Sequence, residues 1–156
     1  MDLLKKHWRY FAFVWIAFVF VQSLFFKFTG SNETQYIFGT IGAWLGMDWF
    51  TAYGGYIVGS VELVASILLF TRFWAWGAVV AFEVMAGAIV FHLFTPLGIP
   101  MPVFDDAGQI IGSDGGTLFV MACFTISCAA ALVVSDWLAE DSQIRRFLKR
   151  TPTTAA

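Results

Sequence analysis

Charged residues are scarce in this sequence. Asp, Glu, Lys and Arg make up only 13% of its 156 residues, whereas soluble domains have about 25%. The hydrophobic fraction is 59% and includes 18 Phe and 7 Trp. A soluble core of this size could not cover so many aromatic side chains, so the composition predicts an integral membrane protein. The few basic residues form no patch suited to nucleic acid, and no nucleic-acid partner is expected.

Cysteine and histidine are also rare, with two of each. Cys123 and Cys128 are five positions apart on one predicted helix, about 140° around its axis, so they should not pair. The absence of a Cys-x-x-Cys motif argues against a thiol–disulfide enzyme. His7 and His92 belong to opposite ends of the expected bundle, which makes a transition-metal site improbable. Phosphate-binding loops, nucleophile elbows and metalloprotease motifs are missing as well.

Four apolar runs dominate the chain. Each approaches the ~20 residues that a helix needs to cross a ~30 Å hydrocarbon core. The runs do not alternate apolar and polar residues, which favours helices over a β-barrel. The expected fold class is therefore all-α, a four-helix transmembrane bundle in a single domain of residues 1–150 with a disordered tail at 151–156. The predicted spans are residues 11–28, 53–70, 74–95 and 117–135.

Basic residues mark one side of this four-span topology. Eight of the nine Lys and Arg residues lie before the first span, between the second and third, or after the fourth. By the positive-inside rule, this asymmetry predicts a plasma (inner) membrane protein with both termini cytoplasmic. The eight residues are Lys5, Lys6, Arg9, Arg72, Arg145, Arg146, Lys149 and Arg150.

Two longer connections lie on the opposite side. Residues 36–50 are apolar but too few to cross the membrane, which favours an interfacial helix or a re-entrant segment. In the other connection, Asp105-Asp106-Ala107-Gly108 separates two short apolar stretches and predicts a hairpin turn. We expect these two connections to cap the outer mouth of the bundle.

Glu62 lies near the middle of the second span, where a carboxylate costs at least ~2.5 kcal/mol. It shares a helix face with Gly55 and Gly59, small residues that let a neighbouring helix approach closely. Lys27, near the outer end of the first span, could snorkel to the headgroups, but it could also reach down to Glu62. A Lys27–Glu62 pair is the preferred hypothesis. Glu62 would then either lock the bundle or serve a ligand or a proton.

Glu83 and His92 occupy the third span, nine residues apart and thus about 180° around the helix. They must face different neighbours, so at most one can face the bundle axis and the other lines a different crevice or a contact between protomers. Glu83 shares its face with Gly87. His92 is either a hydrogen-bonded structural residue or a proton carrier or ligand contact. The candidate intramembrane polar pocket comprises Lys27, Glu62, Glu83 and His92, and the candidate helix-packing glycines are Gly55, Gly59 and Gly87.

The order of three short motifs resembles the DoxX-like family of small four-helix membrane proteins. They are Phe26-Lys27-Phe28, Gly59-Ser60-Val61-Glu62-Leu63, and Met85-Ala86 with His92 after Arg72. The resemblance covers roughly residues 15–135. It implies a subunit of a membrane oxidoreductase linked to thiosulfate and quinone, a component of a redox-stress complex or, more distantly, an assembly chaperone for other membrane proteins.

Three functional hypotheses follow. In a quinone-linked oxidoreductase subunit, Lys27 or His92 would donate to the quinone oxygens, Glu62 would carry the proton, and a partner subunit would supply electrons. The alternative is a non-catalytic membrane interaction or assembly protein. A proton-coupled small-molecule carrier is a third hypothesis, although four spans form only a small pore unless the chain oligomerises. The expected partners are the lipid bilayer and either another protein or a second copy of the chain.

Overall fold

The computed structural model describes the backbone of residues 2–150 and the side chains of residues 7–149. The tail at 151–156, expected to be disordered, lies outside the described residues. Within them the chain forms six helices and one β-hairpin. The elements are α1 (Asp2–Thr29), α2 (Asn32–Leu45), α3 (Asp48–Leu69), α4 (Trp74–Phe94), β1 (Pro102–Phe104), β2 (Ile110–Ser113), α5 (Thr117–Trp137) and α6 (Gln143–Arg150).

Four of the helices are long and apolar enough to cross a membrane. These spans are His7–Thr29, Asp48–Leu69, Trp74–Phe94 and Thr117–Trp137. The prediction of four membrane-spanning helices is confirmed at the level of length and composition. The second span begins at Asp48 rather than at residue 53, because the acidic Asp48 occupies the first turn of α3, where a helix favours negative charge.

The four long helices form a bundle in which α1 and α4 occupy opposite corners, since each packs against both α3 and α5. The core contains large side chains such as Phe20 and Leu132, together with alanines such as Ala65 and Ala78. Helices α3 and α4 approach each other closely at Gly77. A Cβ there would lie 2.8 Å from the backbone nitrogen of Leu69, so only glycine fits without a shift of the backbone.

The two ends of the bundle differ in structure. One end carries the start of α1, the turn between α3 and α4, and α6. We call it the basic end, because these segments contain every Lys and Arg of the sequence except Lys27. The other end carries α2 and the hairpin, and we call it the hairpin end.

At the hairpin end, the segment predicted to be interfacial is divided between α2 and the start of α3. Helix α2 begins after Ser31, whose hydroxyl accepts a hydrogen bond from the Thr34 backbone N–H, and it ends at Gly46 with φ +67°. Helix α2 packs along α3, where the ring of Phe38 covers Gly54. Helix α2 is therefore stabilised by packing against a membrane-spanning helix.

The hairpin pairs β1 with β2 in antiparallel fashion. Its turn contains the Asp-Asp-Ala-Gly segment, with Gly108 at φ +76°. A carboxylate oxygen of Asp105 accepts hydrogen bonds from the backbone N–H groups of Ala107 and Gln109. The polar turn residues thus satisfy the backbone at the point where the chain reverses.

Candidate intramembrane polar site

Lys27 and Glu62 form an ion pair between α1 and α3, in which Glu62 is buried and Lys27 is partly buried. The Lys27 Nζ atom lies 2.8 Å from Oε2 and 3.0 Å from Oε1 of Glu62. The hydroxyl of Ser23 donates to Oε2 of Glu62 at 2.7 Å and accepts from Lys27 Nζ at 2.9 Å. The predicted contact between Lys27 and Glu62 is confirmed, and Ser23 is a third member. We call this group the polar triad.

The local sequence explains how the polar triad assembles. Ser23 and Lys27 are four residues apart on α1 and therefore share one helix face. On α3, Gly59 lies one turn before Glu62, and a Cβ there would approach within 3.4 Å of Lys27 Cδ and 3.2 Å of the Phe28 ring. The missing side chain leaves room for the lysine stem. Gly55, by contrast, faces α2, where the Thr34 methyl would meet a Cβ at 3.1 Å.

The polar triad is internally satisfied. The side chain of Glu62 is 3% exposed and that of Lys27 is 15% exposed, so the rest of the bundle covers most of both charged groups. The ammonium of Lys27 has three protons, and three acceptor atoms lie within hydrogen-bond distance, two on Glu62 and one on Ser23. Within residues 7–149, every buried side-chain nitrogen or oxygen has a hydrogen-bond partner. This geometry fixes α1 against α3, and a ligand would have to compete with Glu62 and Ser23 for the Lys27 ammonium.

His92 lies near the end of α4 and is 8% exposed. Its Nδ1 is 2.6 Å from the backbone carbonyl oxygen of Gly98. A carbonyl can only accept, so Nδ1 donates to it. The edge of the Phe119 ring lies against the imidazole at 5.7 Å between centroids. His92 shares no hydrogen bond with the polar triad, and it anchors the segment that follows α4.

Glu83 does not join the polar triad either, so the structure does not bring the four candidate pocket residues into one site, and Glu83 and His92 face different surroundings as their spacing predicts. Glu83 is the tenth residue of the 21-residue α4 and therefore lies at mid-span. Helix α4 turns Ala81 and Met85 into the bundle, and Glu83, two positions after Ala81, points nearly the opposite way. Its side chain is exposed, without a cation or hydrogen-bond donor in the part of the chain that the structure describes.

Gly87 lies one turn beyond Glu83 on the same face. A Cβ built there would meet nothing within 4 Å. Gly87 therefore does not pack two helices of this chain together, contrary to prediction, whereas Gly55 and Gly59 do contact neighbouring elements. The packing glycine of α4 is Gly77, which sequence reasoning missed. The small residues Gly77 and Ala81, four positions apart, are the sequence signal that could have identified it.

Thr125 is a second polar residue that the sequence analysis missed. It is fully buried on α5, and its hydroxyl accepts a hydrogen bond from the indole N–H of Trp15 at 3.1 Å. The same hydroxyl donates to the backbone carbonyl of Met121. The hydrogen bond from Trp15 to Thr125 joins α1 to α5, as the polar triad joins α1 to α3.

Asp114 organises the junction between the hairpin and α5. Its carboxylate accepts hydrogen bonds from the backbone N–H groups of Met101, Gly116 and Leu118 at 2.7–3.0 Å. Burial acts to raise the pKa of Asp114, but these three donors and the nearby His92 together hold that pKa below its usual value. Asp114 lies two residues before the N-cap, Gly116, yet its carboxylate satisfies the Leu118 N–H in the first turn of α5.

At the other end of α5, Asp136 is 2% exposed. Its Oδ2 accepts hydrogen bonds from the Ser142 hydroxyl at 2.8 Å and from the Ile144 N–H at 3.2 Å. Asp136 thereby holds the beginning of α6, a short helix in the basic segment that follows the fourth span.

Metal ligands do not cluster in the described residues. No group of three or more His, Cys, Asp or Glu side chains there could hold a metal ion. Cys123 and Cys128 are both free.

Comparison of the chain with protein-family models, with curated proteins and with solved structures gives no match. The DoxX-like resemblance therefore stays a prediction from the sequence motifs, and so does the quinone that it implies.

Proposed function

We propose that this chain is a non-catalytic subunit or assembly factor of a membrane complex, and that the face of α4 around Glu83 binds a helix of its partner. The observation that carries the proposal is the exposure of Glu83 at mid-span without a partner within the described chain. A carboxylate facing hydrocarbon at that depth costs at least ~2.5 kcal/mol. A partner that donates a hydrogen bond or supplies a cation would remove that cost.

The shape of the same face suits a close helix contact. Gly87 leaves the backbone of α4 open one turn from Glu83, and Val90 is exposed one turn further along. Small residues next to a polar one are typical of contacts between membrane helices. The face thus combines an open backbone with one strong hydrogen-bonding group.

The partner's chemistry follows from what this chain lacks. Lys27 is the sole Lys or Arg inside the predicted spans, and it is already bound to Glu62. In a two-fold contact between α4 faces, a second copy would place Glu83 opposite Glu83, and two facing carboxyls could not both stay ionised. We therefore propose a different protein, with Lys, Arg, Asn, Gln, Ser or Thr at matching depth.

The membrane and the orientation belong to the same proposal. The basic end carries eight of the nine Lys and Arg residues, whereas the opposite connections carry acidic ones. By the positive-inside rule, the basic end faces the cytoplasm of a plasma-membrane protein, with both termini on that side. The acidic residues are Glu33, Asp48, Asp105, Asp106 and Asp114.

DoxX-like membership is also proposed, on the motifs alone. Within that family we favour an interaction or assembly role over a quinone-linked oxidoreductase. The Lys27 ammonium is held by Glu62 and Ser23, so a quinone oxygen would have to compete with both, and His92 donates to Gly98. A proton-coupled carrier is disfavoured for a related reason, because Glu62 is held in an ion pair.

The test compares three full-length proteins extracted gently from their own membrane and analysed by native mass spectrometry. These are the wild type, Glu83→Leu and the matched control Gln22→Leu. Gln22 is an exposed polar residue on α1, at the opposite corner of the bundle. We expect the wild type and Gln22→Leu to retain one partner at fixed stoichiometry, and Glu83→Leu to lose it.

Three other outcomes would contradict the proposal. If Glu83→Leu keeps the partner, the α4 face is not the contact. If the wild type carries a stoichiometric quinone that Glu62→Gln loses, the oxidoreductase hypothesis replaces the one argued above. A homodimer that depends on Glu83 would identify a second copy as the occupant of this face.

A further inference from the structure

A cleft of about 440 Å³ opens at the basic end, where α1 meets the turn between α3 and α4. This volume lies in the range of small-molecule sites, roughly 300–1,000 Å³. The apolar floor contains Phe13 and Leu69, which are 8% and 1% exposed. Arg9, Tyr10 and Trp74 lie around it. The cleft therefore combines an apolar interior with one cationic side chain, that of Arg9.

Arg9 is held in place by an aromatic ring rather than by an acid. Its guanidinium carbon lies 5.2 Å from the centroid of the Trp74 ring, in cation–π geometry. The lining contains neither Asp nor Glu, and in residues 7–149 Arg9 has neither a salt bridge nor a hydrogen-bond acceptor. Its fork of N–H donors is therefore oriented but unused.

The Thr71 hydroxyl, which also lines the cleft, is already engaged. The Thr71 hydroxyl donates to the Leu68 carbonyl at 2.9 Å and accepts from the Phe73 N–H at 3.1 Å. Arg9 is consequently the donor available to an anion, with the exposed Tyr10 hydroxyl beside it. A planar guanidinium binds phosphate oxygens in a bidentate manner, which suits a phosphate ligand.

We infer that this cleft binds the phosphate of an anionic phospholipid, with Arg9 on the phosphate and an acyl chain along the aromatic wall. The position at the end of the bundle, between membrane-spanning helices and next to Trp74, is that of a headgroup site. Two features favour a lipid over free phosphate, namely the apolar floor beneath the cation and the membrane-spanning helices that form it. Zwitterionic phosphatidylcholine offers a phosphate already paired with choline and should bind less well.

The test measures lipid retention by the full-length protein in detergent. The protein is equilibrated with equal amounts of phosphatidylglycerol and phosphatidylcholine of the same acyl chains, and bound lipid is counted by native mass spectrometry. The wild type is compared with Arg9→Gln and with the matched control Arg146→Gln, which removes one charge from an exposed site on α6 at the same end. Arg9→Lys keeps the charge without the bidentate fork.

We expect the wild type and Arg146→Gln to prefer phosphatidylglycerol. In Arg9→Gln this preference should fall about fivefold, the effect of one basic group at a membrane surface, and Arg9→Lys should be intermediate. Raising the salt concentration should weaken binding in the wild type more than in Arg9→Gln. Circular dichroism and thermal unfolding establish that each variant is folded.

Three results would overturn the inference. Equal retention of both lipids by the wild type would show that the cleft does not discriminate between lipids by their headgroup charge. An equal loss in Arg9→Gln and Arg146→Gln would assign binding to the general charge of the basic end. If inorganic phosphate binds in an Arg9-dependent manner but phosphatidylglycerol does not compete with it, the ligand is a free anion and not a lipid.

Discussion

The ammonium of Lys27 lies 2.8 Å from Oε2 of Glu62 and joins α1 to α3 across 35 positions of sequence. The positive charge of Lys27 and the negative charge of Glu62 compensate each other. Ser23 adds a hydroxyl that contacts both. A buried pair of this kind makes the loss of one member more harmful than the loss of both, because a single deletion leaves an uncompensated charge.

Single substitutions in the polar triad should therefore destabilise the bundle. Lys27→Met should lower the free energy of unfolding by about 3 kcal/mol, the lower end of the range for a broken buried pair, because Lys27 keeps 15% exposure. Glu62→Met should do the same. The double variant should recover most of this loss. Reversible unfolding in detergent micelles gives the three free energies, and additive effects of the two single substitutions would contradict a direct pair.

The two glycines of α4 provide a matched pair of substitutions. Gly77→Ala should destabilise the isolated protein by about 1–3 kcal/mol, because its Cβ would crowd the backbone of Leu69 and Ala65 at 2.8–3.0 Å. Gly87→Ala should stabilise it by about 0.5–1 kcal/mol, because its Cβ would meet nothing and alanine favours the helix. Reversible unfolding in detergent micelles gives the free energy of unfolding of both variants. Equal effects at the two positions would show that the α3–α4 contact at Gly77 is wrong.

The sequence allowed the spans and the Lys27–Glu62 pair to be predicted for physical reasons. Length and hydropathy suffice to mark a membrane helix, and few charged groups inside the spans were available to compensate Glu62. The direction of Glu83 could not be predicted, because α4 is apolar on all sides and its sequence does not distinguish the buried face from the exposed one.

Other contacts were hidden for a different reason. Ser23 and Thr125 are small hydroxyl residues in apolar helices, where their own preceding carbonyls can satisfy them. Nothing in the local pattern indicates that they also reach another helix. Helix α6 is only eight residues long, and it depends on Asp136 from α5 for its first turn, which is a tertiary contact.

Glu83 should contribute nothing to the stability of the isolated chain. Its side chain is exposed and makes no contact with a donor in residues 7–149. Glu83→Leu should therefore change the free energy of unfolding by less than about 0.5 kcal/mol in detergent, whereas Glu62→Leu, the same substitution at a buried acid, should cost several times more. A large destabilisation by Glu83→Leu would mean that Glu83 has an internal role and would remove the argument for a partner at this face.

Asp114 should make the junction between hairpin and α5 sensitive to acid. Its pKa in the folded protein is lowered, because three backbone N–H groups and His92 outweigh the effect of burial. A depressed pKa stabilises the fold at any pH above the unfolded value of about 3.9, and this contribution disappears as the pH falls through the lower folded value. We expect the amide protons of Gly116 and Leu118 to lose hydrogen-exchange protection below about pH 4.

The control for this prediction is built into the same connection. Asp114→Asn keeps one acceptor oxygen and cannot be protonated, so it should cost about 1 kcal/mol at neutral pH, the loss of one hydrogen bond, and should remove the acid-dependent change at Gly116 and Leu118. Asp106→Asn, at an exposed position in the hairpin turn, should leave both the stability and the acid response as in the wild type. If Asp114→Asn retains the acid-dependent loss of protection, another carboxyl group controls the junction, and the hydrogen bonds of Asp114 are not its source.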